Sequence, residues 1–131
     1  MIIVDTTVWI DYLRGTRTPH AEWLEGNLHR ERLGLTDLIL CEVLQGVTTE
    51  RAFETVYREL LRFEIYPMGG ADLAIEAAKN YRRLREAGRT VRRTIDSLIA
   101  TYCLRQGHTL LHNDRDYDPF EELLGLLVLH P

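Results

Sequence analysis

The sequence predicts an α/β fold: a three-layer α/β/α sandwich around a central parallel sheet of short strands. Three observations predict it. Short apolar runs recur along the chain, at residues 2–4, 33–35, 64–67, 109–112 and 126–129. Segments with apolar residues at helical spacing separate them, and that alternation joins parallel strands through crossover helices. The helices outnumber the strands, so both faces of the sheet are covered.

Ile2, Ile3 and Val4 suit a strand buried on both faces, and the run stops at Asp5. Thr6 and Thr7 follow as caps of a helix over 8–14, with Val8, Trp9, Tyr12 and Leu13 on its apolar face and Gly15 as its stop. Trp9 and Tyr12 therefore read as core residues rather than base-stacking platforms. Thr18 and Pro19 open a second helix, which packs through Trp23, Leu24 and Leu28. Residues 33–35 form the second strand. Thr36 caps a third helix in which Leu38, Ile39, Leu40, Val43 and Leu44 surround Glu42, and Gly46 ends it. A fourth helix begins near Glu50, with Phe53, Val56, Tyr57, Leu60 and Leu61 at helical spacing. Pro67 makes the third strand edge-like. A helix over 72–87 is expected to pack through Leu73, Ile75, Ala78, Tyr81 and Leu84. Thr94 caps the next helix, which carries Asp96, Ile99, Ala100, Cys103 and Leu104 to Gly107. After the fourth strand comes an acidic turn with Asp114, Asp116 and Asp118. Asp118 is expected to cap a short helix over 120–124 before the last strand.

The 131 residues suit one domain, 1–131, with no repeat or linker. Apolar residues make up 45% of the chain, enough for a full core rather than disorder. A net charge of −4 excludes a generally basic nucleic-acid binder. Lys79 is the only lysine, which restricts any lysine-based chemistry to that position. No run of 18 apolar residues is present, so no membrane span is expected. The opening residues lack the features of a signal peptide. Cys41 and Cys103 read as two free, mostly buried thiols. A cytoplasmic protein is the expectation.

Four acids carry the functional reading. Asp5 ends a strand, Glu42 lies inside an apolar helix, Asp96 sits in a first helical turn and Asp114 follows the fourth strand. Each has a plain structural explanation alone: a helix cap, an arginine partner, a dipole-favoured acid, a solvated turn. Glu42 needs a counter-charge, because a buried unpaired carboxylate is costly. In a parallel sheet all four positions face the carboxyl edge, where ligands bind. Clustered carboxylates repel, and a divalent cation relieves that repulsion; oxygen donors favour magnesium or manganese. The histidines, at 20, 29, 108, 112 and 130, show no zinc-like spacing.

The blocks Ile3-Val4-Asp5-Thr6-Thr7-Val8-Trp9-Ile10-Asp11, Leu40-Cys41-Glu42-Val43-Leu44-Gln45-Gly46, Thr94-Ile95-Asp96-Ser97-Leu98-Ile99-Ala100 and Leu110-Leu111-His112-Asn113-Asp114-Arg115-Asp116-Tyr117 together resemble PIN-domain ribonucleases, in particular the VapC-type toxins of bacterial toxin–antitoxin pairs. The resemblance spans essentially the whole chain. It implies strand order 3-2-1-4-5 and a magnesium- or manganese-dependent endoribonuclease that cuts single-stranded or loop RNA. It implies a catalytic set of Asp5, Glu42, Asp96 and Asp114, and metal ligation by Asp5, Asp96, Asp114 and Asp116. Asp116 is an acid beyond the quartet, and either it or Asp114 can be the principal fourth acid. Thr6 and Thr94 match small hydroxyl positions that support the acids. A VapB-type antitoxin and a homodimer are the implied partners, with no direct DNA binding by this chain alone.

Arg82, Arg83, Arg85, Arg89, Arg92 and Arg93 precede Asp96. They read either as a solvated face or as a phosphate-gripping rim, with Arg89, Arg92 and Arg93 nearest the acids. A catalytically inactive PIN-like module that binds a partner protein is the competing function. A phosphoacceptor receiver domain shares the layout, but it needs an acidic pair near the first strand and a late lysine, and this chain has neither.

Overall fold

In the computed structural model, which describes residues 1–131, β1 (Ile2–Val4) occupies the centre of a five-stranded parallel sheet. On one side lie β2 (Leu33–Thr36) and β3 (Glu64–Tyr66); on the other lie β4 (Thr109–Leu111) and β5 (Leu127–Val128). The order β3-β2-β1-β4-β5 agrees with the expectation from the resemblance. Ile3 faces Gly34 on one neighbour and Leu110 on the other. The chain leaves β1 in one direction and returns past it to β4. The β1/β4 boundary is therefore the switch point of the sheet, where a crevice opens at the carboxyl ends.

Helices α1 (Thr6–Arg14), α2 (Pro19–Asn27), α3 (Asp37–Gln45) and α4 (Glu50–Leu60) connect β1, β2 and β3. Helices α5 (Ala71–Glu86) and α6 (Thr94–Gln106) lead to β4, and α7 (Asp118–Leu124) leads to β5. The two groups serve opposite directions of travel, so right-handed crossovers place them on opposite faces. Ile3, Val4, Trp9, Leu24, Leu35, Ile39, Leu60, Ile99, Leu110, Leu111 and Phe120 are fully buried between these layers. Burying one such aliphatic side chain contributes about 1.5–3 kcal/mol. Trp9 packs its ring 4.9 Å from that of Phe63, which makes it a core residue. No helix is long and apolar enough to cross a membrane.

Several local expectations need correction. The first helix begins at Thr6, not Val8, and Asp5 holds the N-cap position without a side-chain capping bond. Thr18 and Thr36 do cap, accepting from the backbone N–H groups of Ala21 and Ile39. Thr94 does not: it is the first residue of α6, and Arg93 precedes it in extended conformation. Asp118 likewise lies inside α7 rather than capping it. The buried stripe of α5 is Leu73, Ala77, Asn80 and Leu84, while Ile75 is 56% exposed. A hydrophobic pattern passes over Asn80 because it is polar. Its amide donates to the buried Thr101 hydroxyl at 3.1 Å, which satisfies both groups between α5 and α6. Leu60 is in the core, and Leu61 is the exposed leucine at the end of α4. Cys41 is exposed and only Cys103 is buried, where loss of solvent pushes its thiol up to about 12.

Candidate active site

The carboxyl edge of the sheet at the β1/β4 boundary gathers the acids. Asp5 leaves the end of β1 and is 2% exposed. Tyr117 ends a short 3-10 turn, Arg115–Tyr117, and its buried hydroxyl donates to Asp5 Oδ1 at 2.9 Å. The same hydroxyl lies 3.4 Å from Asp96 Oδ1, bridging β1 and α6. Burial pushes the Asp5 carboxyl up to about 7; the Tyr117 hydrogen bond opposes this and the Asp96 charge adds to it. Thr7 donates its hydroxyl to the other Asp5 oxygen at 3.3 Å. The Thr6 hydroxyl, one residue earlier, donates to Glu42 Oε1 at 2.7 Å and so fixes α3 against the start of α1.

Asp96 is 1% exposed in the first turn of α6. Its carboxyl is raised by burial, and the neighbouring Arg93 guanidinium opposes that shift. Asp114 follows β4 and accepts the backbone N–H of Asp116 at 2.9 Å, which folds the acidic turn back on itself. One carboxylate oxygen from each of Asp96, Asp114 and Asp116 falls within 4.8 Å of the others. Asp5 and Glu42 are outside this tight group. Asp5 joins it through Tyr117, and Glu42 through Arg93, whose Nη1 is 3.9 Å from Glu42 Oε2.

Three converging carboxylates with no sulfur or nitrogen donor fit a hard divalent cation. Asp96, Asp114 and Asp116 are the residues that could hold it, and the repulsion between them gives the chain a reason to bind it.

Of the six arginines of the expected rim, the three nearest the acids are already paired. Arg89 meets Glu122 at 2.6 Å, Arg92 meets Asp116 at 3.2 Å, and Arg93 lies among the acids. Thr94 is exposed, and no side-chain hydrogen bond links it to the acids. Two residues escaped the reading of the sequence. Tyr117 is one. The other is His112, buried at the end of β4, which accepts the backbone N–H of Asp114 at Nδ1 over 3.1 Å. Accepting at Nδ1 requires the neutral ring with its proton on Nε2, a form that burial favours by lowering the histidine's proton affinity, and the contact anchors the turn. His112 also packs on Tyr117, with ring centres 4.8 Å apart. The available signal was position: one residue ends the strand, and the other is the aromatic inside the acidic turn.

Comparison with known proteins agrees with this architecture. The PIN domain family model matches residues 2–123. Ribonuclease VapC11 of Mycobacterium tuberculosis is 33% identical over 131 residues, covering 96% of this chain and 96% of that protein. VapC ribonuclease Mb1587 of Mycobacterium bovis matches to the same extent, 33% over 131 residues. Among solved structures, VapBC2 from Rickettsia felis, bound to a DNA fragment from its promoter, superposes with a TM-score of 0.77 at 18% identity, covering 98% of both chains. FitAcB from Neisseria gonorrhoeae gives 0.77 at 18% identity, covering 100% of this chain and 98% of that one. Sequence and fold thus agree, and the chain belongs to the PIN-domain family, grouping there with the VapC proteins.

Proposed function

We propose that the chain is a magnesium- or manganese-dependent endoribonuclease and the toxin of a toxin–antitoxin pair. The convergence of Asp96, Asp114 and Asp116 at the switch point carries this reading. The relatives named as ribonucleases, 33% identical along nearly the whole chain, support RNA as substrate.

A bound divalent cation supplies an activated water and stabilises charge on a phosphate's oxygens. Asp96, Asp114 and Asp116 would hold it. Burial raises the Asp5 carboxyl to about 7, and a cation held nearby would favour its ionised form. Tyr117 fixes the Asp5 carboxyl in place, and Thr6 fixes Glu42. Arg89, Arg92 and Arg93 are the residues to supply the phosphate contacts an acidic protein otherwise lacks, each on leaving the carboxylate it pairs with in the metal-free chain.

The toxin–antitoxin assignment draws on the VapBC complexes that share the fold. It also draws on an apolar channel between α1, α3 and α4, lined by Ile10, Leu13, Val43, Val47 and Val56. Phe53 and Tyr57 stack beside it on α4, with Tyr57 39% exposed. An antitoxin segment with an apolar face suits this channel, and a homodimer is the expected assembly of the toxin.

The test is cleavage of single-stranded RNA by the purified chain. Magnesium or manganese should support cutting that leaves 5′-phosphate ends, chelation should stop it, and Asp96→Asn should lower it by at least about a hundredfold. A wild-type chain that binds a partner protein but cuts no RNA with any divalent ion would instead support the inactive binding module.

A further inference from the structure

The metal-free acidic centre already contains a cation, and it belongs to the chain itself. Arg93 Nη2 is 3.1 Å from Asp96 Oδ1 and 3.6 Å from Asp114 Oδ2. Its Nε is 3.2 Å from Asp96 Oδ2, and its Nη1 is 3.9 Å from Glu42 Oε2. One guanidinium therefore contacts three carboxylates from three elements: α3, α6 and the turn after β4. Two of these, Asp96 and Asp114, also belong to the oxygen cluster suited to a divalent ion.

Two cations cannot share those oxygens at low cost. A divalent ion bonds carboxylate oxygen at about 2.1 Å, and a guanidinium left in place would face a double positive charge across one carboxylate. Arg93 is free to yield. Its side chain is 51% exposed, it precedes α6 in extended backbone, and it fills no part of the core. Arg89 differs, because its partner Glu122 lies outside the cluster; Arg92 meets one cluster acid, Asp116, from the exposed side, and only Arg93 joins several carboxylates at once.

We propose that Arg93 is an exchangeable counter-ion: it fills the acidic centre of the metal-free chain, is displaced when a divalent cation binds, and then contacts the RNA phosphate. This inference rests on the proposed nuclease reading. Its consequence is an order of events. The residue that grips RNA becomes available only after the metal has entered, so metal binding and RNA binding reinforce each other.

The test is Mn2+ affinity of the chain without RNA, measured by calorimetry for wild type, Arg93→Gln, Arg93→Lys and Asp96→Asn. Removing the competitor should tighten Mn2+ binding roughly tenfold in Arg93→Gln. Arg93→Lys keeps the charge but loses the two-point grip on Asp96, so its Mn2+ affinity should fall between those of wild type and Arg93→Gln. Arg93→Gln should also melt lower than wild type in chelator and lose that deficit with Mn2+, while its KM for RNA rises. Independently of any variant, the Arg93 Nε–H of wild type should lose its protection from hydrogen exchange when Mg2+ is added. Unchanged or weaker Mn2+ affinity in Arg93→Gln, or an Nε–H that stays protected with Mg2+ bound, overturns the exchange and leaves the nuclease reading standing. Absence of Mn2+ binding by wild type overturns both. Loss of binding confined to Asp96→Asn, with tighter binding in Arg93→Gln, supports both.

Discussion

Tyr117 and Asp5 are 112 positions apart in sequence and share a 2.9 Å hydrogen bond at the buried end of β1. That bond ties the acidic turn to the central strand. It also works against the effect of burial on the Asp5 carboxyl. Tyr117→Phe removes the donor and leaves the ring in place. The variant should lose about 1–3 kcal/mol of metal-free stability, the usual cost of an unsatisfied buried group. Its Asp5 carboxyl should titrate still higher than in wild type, as followed by carboxyl-carbon NMR. An Asp5 titration identical in the two proteins would show that the hydroxyl does not act on Asp5.

The Asp5 shift sets a pH dependence with a definite sign. The folded carboxyl titrates at about 7 against an ordinary value of 3.8, so between these values the folded state holds the proton more tightly than the unfolded chain. Metal-free stability from this group is full below about pH 4 and is lost as pH rises to about 7. His112 has the opposite sign: its lowered proton affinity costs stability as pH falls below 6.5. Comparing wild type with Asp5→Asn isolates the first effect. Wild type should gain on the variant by a few kcal/mol as pH is lowered through that window, measured by denaturant unfolding in chelator. A flat difference would contradict the buried, proton-holding Asp5.

The acidic turn separates roles by position. Asp114→Asn and Asp116→Asn should each weaken divalent-cation binding about tenfold to a hundredfold without unfolding the chain. Asp118→Asn, in the first turn of α7, should leave it unchanged. Calorimetric titration decides this, and an Asp118→Asn variant weaker than Asp114→Asn would reverse the assignment.

Gly34 tests the sheet itself. A methyl group added there would lie 2.9 Å from the Glu64 carbonyl and 3.2 Å from the Tyr66 ring, between β2 and β3. A backbone carbonyl cannot move aside as a side chain can. Gly34→Ala should therefore destabilise by about 1–3 kcal/mol, read as a lower denaturation midpoint with an unchanged slope. A midpoint equal to wild type would show that β3 shifts freely.

What could be read before folding follows from the range of the interactions. An apolar run stopping at Asp5, and threonines before apolar helices at Thr18 and Thr36, are local signals that need no partner. The strand order came through four motif blocks considered together. Contacts between distant segments were hidden. Arg93 read as one arginine of a rim, because nothing nearby in sequence marks it as the partner of Glu42 and Asp114. Tyr117 read as part of a solvated turn, although its ring is buried and its hydroxyl serves two acids. Asn80 fell outside the α5 stripe because periodicity weighs apolar residues, and its partner Thr101 lies on another helix. Cys41 looked buried beside apolar neighbours, yet it projects from the exposed side of α3.

The most direct measurement is an anomalous difference map from crystals of the chain soaked in Mn2+. A single strong peak bonded to carboxylate oxygens of Asp96, Asp114 and Asp116, with the Arg93 guanidinium moved off Asp96, is the predicted result. Saturating Mn2+ with no peak at these three acids, or with the peak elsewhere in the molecule, would contradict the assignment of this edge of the sheet as the metal centre.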